Sequence, residues 1–160
     1  MLSYAVVISL VMSSCSTLTN AEKAEREAQK TQSVEKALAE RQYAIEIHMM
    51  YPRHGMAVNV TPDYSLQVKG DTLVSYLPYI GRAYNVPYGG GKGMNFKAPI
   101  REYQAVKGRK GSTQILIGVD NEEDILTYTL HVSASGSTSI DVSSRNREAV
   151  SYSGQMDTKK

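Results

Sequence analysis

Tyr43-Ala44-Ile45-Glu46-Ile47-His48-Met49 sets Tyr43, Ile45, Ile47 and Met49 on one side of an extended chain, and Ala44, Glu46 and His48 on the other. A period of two marks a strand with one buried and one wet face. The alternation returns in Met56, Val58 and Val60; in Tyr64, Leu66 and Val68; in Ile115, Ile117 and Val119; in Leu126, Tyr128, Leu130 and Val132; in Ile140 and Val142; and in Val150 and Tyr152. Turn signals separate these runs at Gly70-Asp71, Gly108-Arg-Lys-Gly111, Asp120-Asn-Glu-Glu-Asp124 and Ser135-Gly136. Short strands punctuated in this way predict an all-β domain over residues 43–154, an antiparallel sandwich or small barrel-like fold of about eight or nine strands. Residues 155–160 read as a tail. No long helical pattern interrupts the strands, which argues against a parallel βαβ sheet.

Upstream of Tyr43 the period is helical. Thr19-x-x-Glu22 has the spacing of a capping box, and from Asn20 to Arg41 five Glu balance five Lys and Arg. Apolar side chains are few and mostly Ala, with Val34, Ala37 and Leu38 forming a stripe only near the end. Residues 15–42 therefore read as a charged, solvated helical spacer whose last turns reach the domain.

The first formal charge of the chain is Glu22. Before it, Ala5 to Met12 is an apolar run, too short to span a bilayer and suited to the h-region of a secretory signal. Met12-Ser13-Ser14-Cys15 then resembles a bacterial lipobox, with Met12 where Leu is usual. Residues 1–14 are expected to be a lipoprotein signal peptide and Cys15 the acylated residue that ties the protein to a membrane. Ser16, rather than Asp, follows the Cys, and the acidic cluster of surface export is missing. This pattern predicts a cell-envelope protein, lipid-anchored in the outer membrane and facing the periplasm.

Composition narrows the function. A net charge of +2 over 160 residues is no nucleic-acid footprint, and a lone Cys forms no internal disulfide. The eleven Tyr against a single Phe are unusual, and four of them crowd one irregular stretch. From Tyr76 to Phe96, the sequence Tyr-Leu-Pro-Tyr-Ile-Gly-Arg-Ala-Tyr-Asn-Val-Pro-Tyr-Gly-Gly-Gly-Lys-Gly-Met-Asn-Phe carries four Tyr, two Pro and five Gly. Rings with hydroxyls on a glycine-rich connection suit a glycan, a peptide or a small amphiphile, and Arg82 suits a carboxylate or phosphate. Tyr76, Tyr79, Arg82, Tyr84 and Tyr88 are the candidate ligand-binding residues. The competing reading is that the loop folds back to close one end of the sheet.

The run Gly70-Asp-Thr-Leu-Val-Ser-Tyr-Leu-Pro-Tyr-Ile-Gly-Arg-Ala-Tyr84, with Pro87-Tyr-Gly-Gly, Phe96 and Asn146-Arg-x-x-Val-Ser-Tyr-Ser-Gly154, resembles the envelope lipoproteins grouped as domain of unknown function 4251 (DUF4251). The resemblance covers roughly Ala39 to Gly154. It implies location and fold, and no established activity comes with the family.

Gly89-Gly-Gly-Lys92-Gly93 is not a phosphate loop, because Gly93 stands where Ser or Thr is needed and no helix pattern follows. No nucleotide is expected. Arg82 to Lys110 holds seven basic residues and one acid, a wet basic face. Asp120 to Asp124 lacks the ligand spacing of a calcium loop and reads as a solvated turn. His48, His54 and His131 fall singly without zinc spacing, and no Gly-x-Ser-x-Gly elbow occurs. The sequence thus predicts no catalytic residue, metal or cofactor. It points to a non-enzymatic binding module, with a structural or protein-interaction lipoprotein as the alternative and a motif-free hydrolase as a remote one.

Overall fold

The computed structural model of the protein describes residues 19–85, 88 and 91–157. The expected signal peptide and Cys15 lie outside the described residues. Helix α1 (Asn20–Glu40) opens with the capping box: the Thr19 hydroxyl accepts from Glu22 N while the Glu22 carboxylate accepts from Thr19 N at 2.8 Å. It ends where Arg41 adopts a left-handed conformation at φ 51°. Residues 20–30 are exposed on every side, so roughly 16 Å of helix stands clear of the domain.

Nine strands follow: β1 (Gln42–Pro52), β2 (Val58–Asn59), β3 (Ser65–Lys69), β4 (Thr72–Tyr76), β5 (Asn95–Lys107), β6 (Thr113–Asp120), β7 (Ile125–Val132), β8 (Ser137–Ser144) and β9 (Val150–Asp157). Every pairing is antiparallel, the order is β2-β1-β3-β4-β5-β6-β7-β8-β9, and β1 also pairs with β9. Eight strands therefore close a barrel, and β2 is an extra strand laid along the upper half of β1. Of the two architectures open to the sequence, the barrel is the one adopted. The last strand runs to Asp157, so residues 155–157 belong to the barrel and not to a tail.

The period-two faces point as expected, with Ile45, Ile47, Leu66, Val68, Ile115, Ile117, Leu126, Tyr128, Leu130, Ile140 and Tyr152 buried in one core. Two runs depart from the pattern. A bulge between Ile47 and Met49 shifts the register against β9, so Met50, and not Met49, turns inward. Met56 and Val58 are exposed, because β2 is only two residues long and lies outside the closed ring.

The barrel has two unlike ends. At one, α1 seats Val34 as its single buried residue, with Ala37 and Leu38 against the core. Gly136, at φ +80°, makes room for it: a Cβ there would stand 3.2 Å from Val34 Cγ2 and 3.3 Å from Met156 Cβ. Arg41 completes this end, its guanidinium 4.3 Å from the Tyr103 ring centre and its carbonyl accepting from Gly70 N at 2.8 Å. Because β1 and β4 both run away from α1, the β1–β2, β4–β5, β6–β7 and β8–β9 connections all gather at the opposite end.

Candidate functional site

The Tyr-rich connection between β4 and β5 covers that opposite end, and hydroxyls rising from inside the barrel hold it. Leu77 and Met94 are buried where the connection leaves and re-enters the barrel. Tyr152 donates to the Pro78 carbonyl at 2.7 Å. Tyr128 donates to Ser75 Oγ at 3.2 Å, and Ser75 in turn donates to the Met94 carbonyl at 2.7 Å. Burial pushes the Tyr152 and Tyr128 phenols up, above the usual range for tyrosine.

A second set of bonds comes from the β8–β9 connection, whose Asn146-Arg147-x-x-Val150 stretch stood out in the sequence. The Glu148 carboxylate is buried and accepts from Arg82 N at 3.1 Å, while Glu148 N donates to the Arg82 carbonyl at 3.0 Å. The Tyr79 hydroxyl lies 2.9 Å from the Arg82 carbonyl and 3.2 Å from that of Glu148, sharing its proton between them. Tyr84 N donates to the Asn146 carbonyl at 2.7 Å, and Ala83 bridges to Arg147. His54, on the β1–β2 connection, places Nε2 3.8 Å from Glu148 Oε1. Burial raises the Tyr79 phenol, and the Glu148 charge adds to the effect.

Arg147 rests on Asp124, its Nε 3.9 Å from Oδ2. Asp124 is itself buried; it accepts from Ser144 Oγ and from the backbone N–H groups of Arg145 and Asn146, both at 3.2 Å. The turn read as solvated is thus half interior: Asp120, Glu122 and Glu123 face outward, whereas the Asn121 side-chain carbonyl oxygen accepts from Glu123 N and Asp124 N to hold the turn, and Asp124 braces the β8–β9 connection. Nothing in the local sequence separates Asp124 from its acidic neighbours, since its partners lie some 20 residues away in the chain.

The five candidate residues are not gathered around one cavity. Tyr76 is the last residue of β4 and stacks on Tyr64 with ring centres 5.0 Å apart and planes 17° apart. Tyr79 is half-buried as a fastening. Arg82 is exposed, and Tyr84 and Tyr88 are 68% and 109% exposed. Ile80, missed in the sequence reading, joins them at 52% exposure, as does Met56 at 85% from the adjoining connection. The surface is an apolar and aromatic ridge on a fixed base.

The larger of two described clefts, ≈ 640 Å³, lies elsewhere, between α1 and the β1–β3 wall, lined among others by Lys36, Ala37, Glu40, Ala44, Gln67 and Lys69. The smaller is bordered by the acidic β6–β7 turn. Among the described residues no group of three His, Cys, Asp or Glu side chains could hold a metal ion. His48 lies 3.9 Å from Glu46 with both side chains about half exposed. No described helix is long and apolar enough to cross a membrane.

No curated protein matches the sequence. Among solved structures, the fold is similar to the crystal structure of a DUF4251 family protein from Bacteroides eggerthii DSM 20697. The two share 14% identity over 82% of this chain and 89% of that one, with a TM-score of 0.64. The family model for the domain of unknown function DUF4251 matches residues 25–156, from the second turn of α1 to the penultimate residue of the last strand, and the chain belongs to that family.

Proposed function

We propose that the protein is a lipid-anchored, non-enzymatic docking module of the cell envelope, acylated at Cys15 in the outer membrane and facing the periplasm. It binds a partner through the surface around the β4–β5 connection. One observation carries this reading. Closing the barrel requires only the inward residues Leu77 and Met94 and the fastening at Tyr79, yet the same connection also holds Ile80, Tyr84 and Tyr88 out in water. Large apolar side chains grouped on one surface mark an interaction site more often than chance exposure. The backbone from Arg82 to Tyr84 is fixed by side-chain and backbone bonds, so little ordering entropy would be lost there on binding.

Helix α1, which would lead from the domain to the anchor, packs at the end of the barrel opposite the ridge, which suits a tethered module whose binding surface looks away from its membrane. Ile80→Ser and Tyr84→Ser variants, purified from envelopes in acylated form, test the reading. The expected result is loss of a co-purifying partner at an unchanged melting temperature. A partner retained by both variants would remove the ridge from the function. The alternative, a loop that only closes the barrel, draws on the Tyr79 and Glu148 fastenings; it predicts that the exposed residues are dispensable.

A further inference from the structure

We infer that Arg82 and Tyr84 recognise a carboxylate set beside an apolar side chain on a protein partner, an inference that rests on the docking reading above and gives it a chemistry. The backbone of Arg82 is fixed on both sides: its N–H on the Glu148 carboxylate at 3.1 Å, its carbonyl on Glu148 N at 3.0 Å and on the Tyr79 hydroxyl at 2.9 Å. Its neighbours are fixed too, Ala83 by the bridge to Arg147 and Tyr84 by the bond to Asn146. Gly81 is part of the construction, because a Cβ there would stand 2.7 Å from the Tyr79 hydroxyl and 3.5 Å from Glu148 Oε2.

With all this backbone engaged, the Arg82 side chain is left exposed, and among the described residues no carboxylate lies within ion-pair distance of its guanidinium. Glu148, the carboxylate bonded to the Arg82 backbone, is already turned to Arg82 N and towards His54. A planar, permanently charged fork on a fixed backbone is suited to bidentate pairing with a carboxylate. Tyr84, two residues on, supplies an exposed ring, and Ile80, two residues before, supplies aliphatic surface.

Two further observations select the partner. This end of the barrel lies opposite the one on which α1 packs, so it stands apart from the helix that would lead to the anchor. The aliphatic Ile80, two residues before Arg82, matches Leu, Ile or Phe side chains better than a hydroxyl-covered sugar, and Arg and Tyr are both enriched at protein interfaces.

The test uses the barrel with its full helix and three kinds of probe. These are immobilised dodecapeptides combining Leu or Phe with Asp or Glu, a matched set with Asn or Gln in place of the acids, and two non-peptide anions, phosphatidylglycerol vesicles and polygalacturonate. The acidic peptides are expected to bind, with the amide set at least about 10-fold weaker. Arg82→Gln should lose about 10- to 100-fold in affinity with an unchanged melting temperature, and Arg82→Lys should recover part of it. Failure of the acidic peptides to bind, equal binding of both sets, indifference to Arg82→Gln, or preference for the vesicles or the polyuronate would each overturn the inference. Loss of binding in Tyr84→Ser and Ile80→Ser but not in Arg82→Gln would leave the docking reading standing and remove this one.

Discussion

Replacing Gly154 by Ala should open the seam that closes the barrel. At this position β9 passes the bulge of β1, and an added Cβ would lie 2.0 Å from the Glu46 carbonyl oxygen, 2.9 Å from its carbon and 3.2 Å from Ile47 Cα. All three are backbone atoms, so no side chain can swing aside. The overlap is relieved only if the two strands part locally, which gives up at least two ladder hydrogen bonds at about 1 kcal/mol each, and overpacking strain adds about 1–3 kcal/mol. The expected loss is about 3–5 kcal/mol, at the upper end of single-substitution effects and a large part of a typical domain's stability. Urea unfolding followed by circular dichroism measures it. Gly93→Ala is the control, since that Cβ would meet nothing within 4 Å and the only cost is the backbone strain of φ +62°. A Gly154→Ala protein within 1 kcal/mol of the parent, or no less stable than Gly93→Ala, would show that the β1–β9 contact is not as close as described.

Other consequences follow from the two ends of the barrel. Glu148→Ala leaves Arg82 N without its partner and should lower stability by about 2 kcal/mol, while Glu148→Gln, which keeps an acceptor, should lose about half of that; equal losses in the two variants would contradict the role given to the Arg82 bond. Val34→Ala removes the only fully buried side chain of α1 and should cost about 1–3 kcal/mol, read as faster protease cleavage within residues 20–40 while the barrel stays intact; unchanged cleavage would mean that α1 is held by something else. The buried phenols of Tyr43, Tyr128 and Tyr152 are raised, chiefly by loss of hydration, so the folded protein binds more protons than the unfolded chain once pH exceeds about 10. Stability should therefore be constant with respect to these groups below that pH and fall as pH rises above it. An unfolding free energy that stays flat through the alkaline range would argue that these rings are hydrated.

Local rules made the strands and the helix start readable. Ile45 and Ile47 flank Glu46, Leu66 and Val68 flank Gln67, and Thr19 and Glu22 stand at capping distance. Single-register information was hidden, because Met49 and Met50 are equally apolar and only the pairing with β9 decides which of them turns inward. Closure was hidden for a similar reason. Whether the strands form a sandwich or a ring depends on β1 meeting β9, a contact between residues 98 to 113 positions apart that leaves no local mark beyond Gly154.

The candidate loop was legible as a unit but not in its division of labour. Tyr79 and Tyr84 look alike in sequence. One is a fastening because Glu148 and Arg82 carbonyls converge on its hydroxyl, and the other is exposed because the Asn146 bond engages its backbone instead. The buried Asp124 was lost among surface acids, since its partners come from β8 and the connection after it.

The central claim is that the rigid ridge over the β4–β5 connection, and not the helix-bearing end, is where the protein meets its partner. Site-specific photo-crosslinking in intact cells tests it most directly, with a photoreactive amino acid replacing Tyr84 at one end or Lys69 at the other, both exposed. The account predicts a discrete crosslinked species from position 84 that disappears in the Ile80→Ser background, and none in common with position 69. The same species from both positions, or one from position 69 alone, would contradict it.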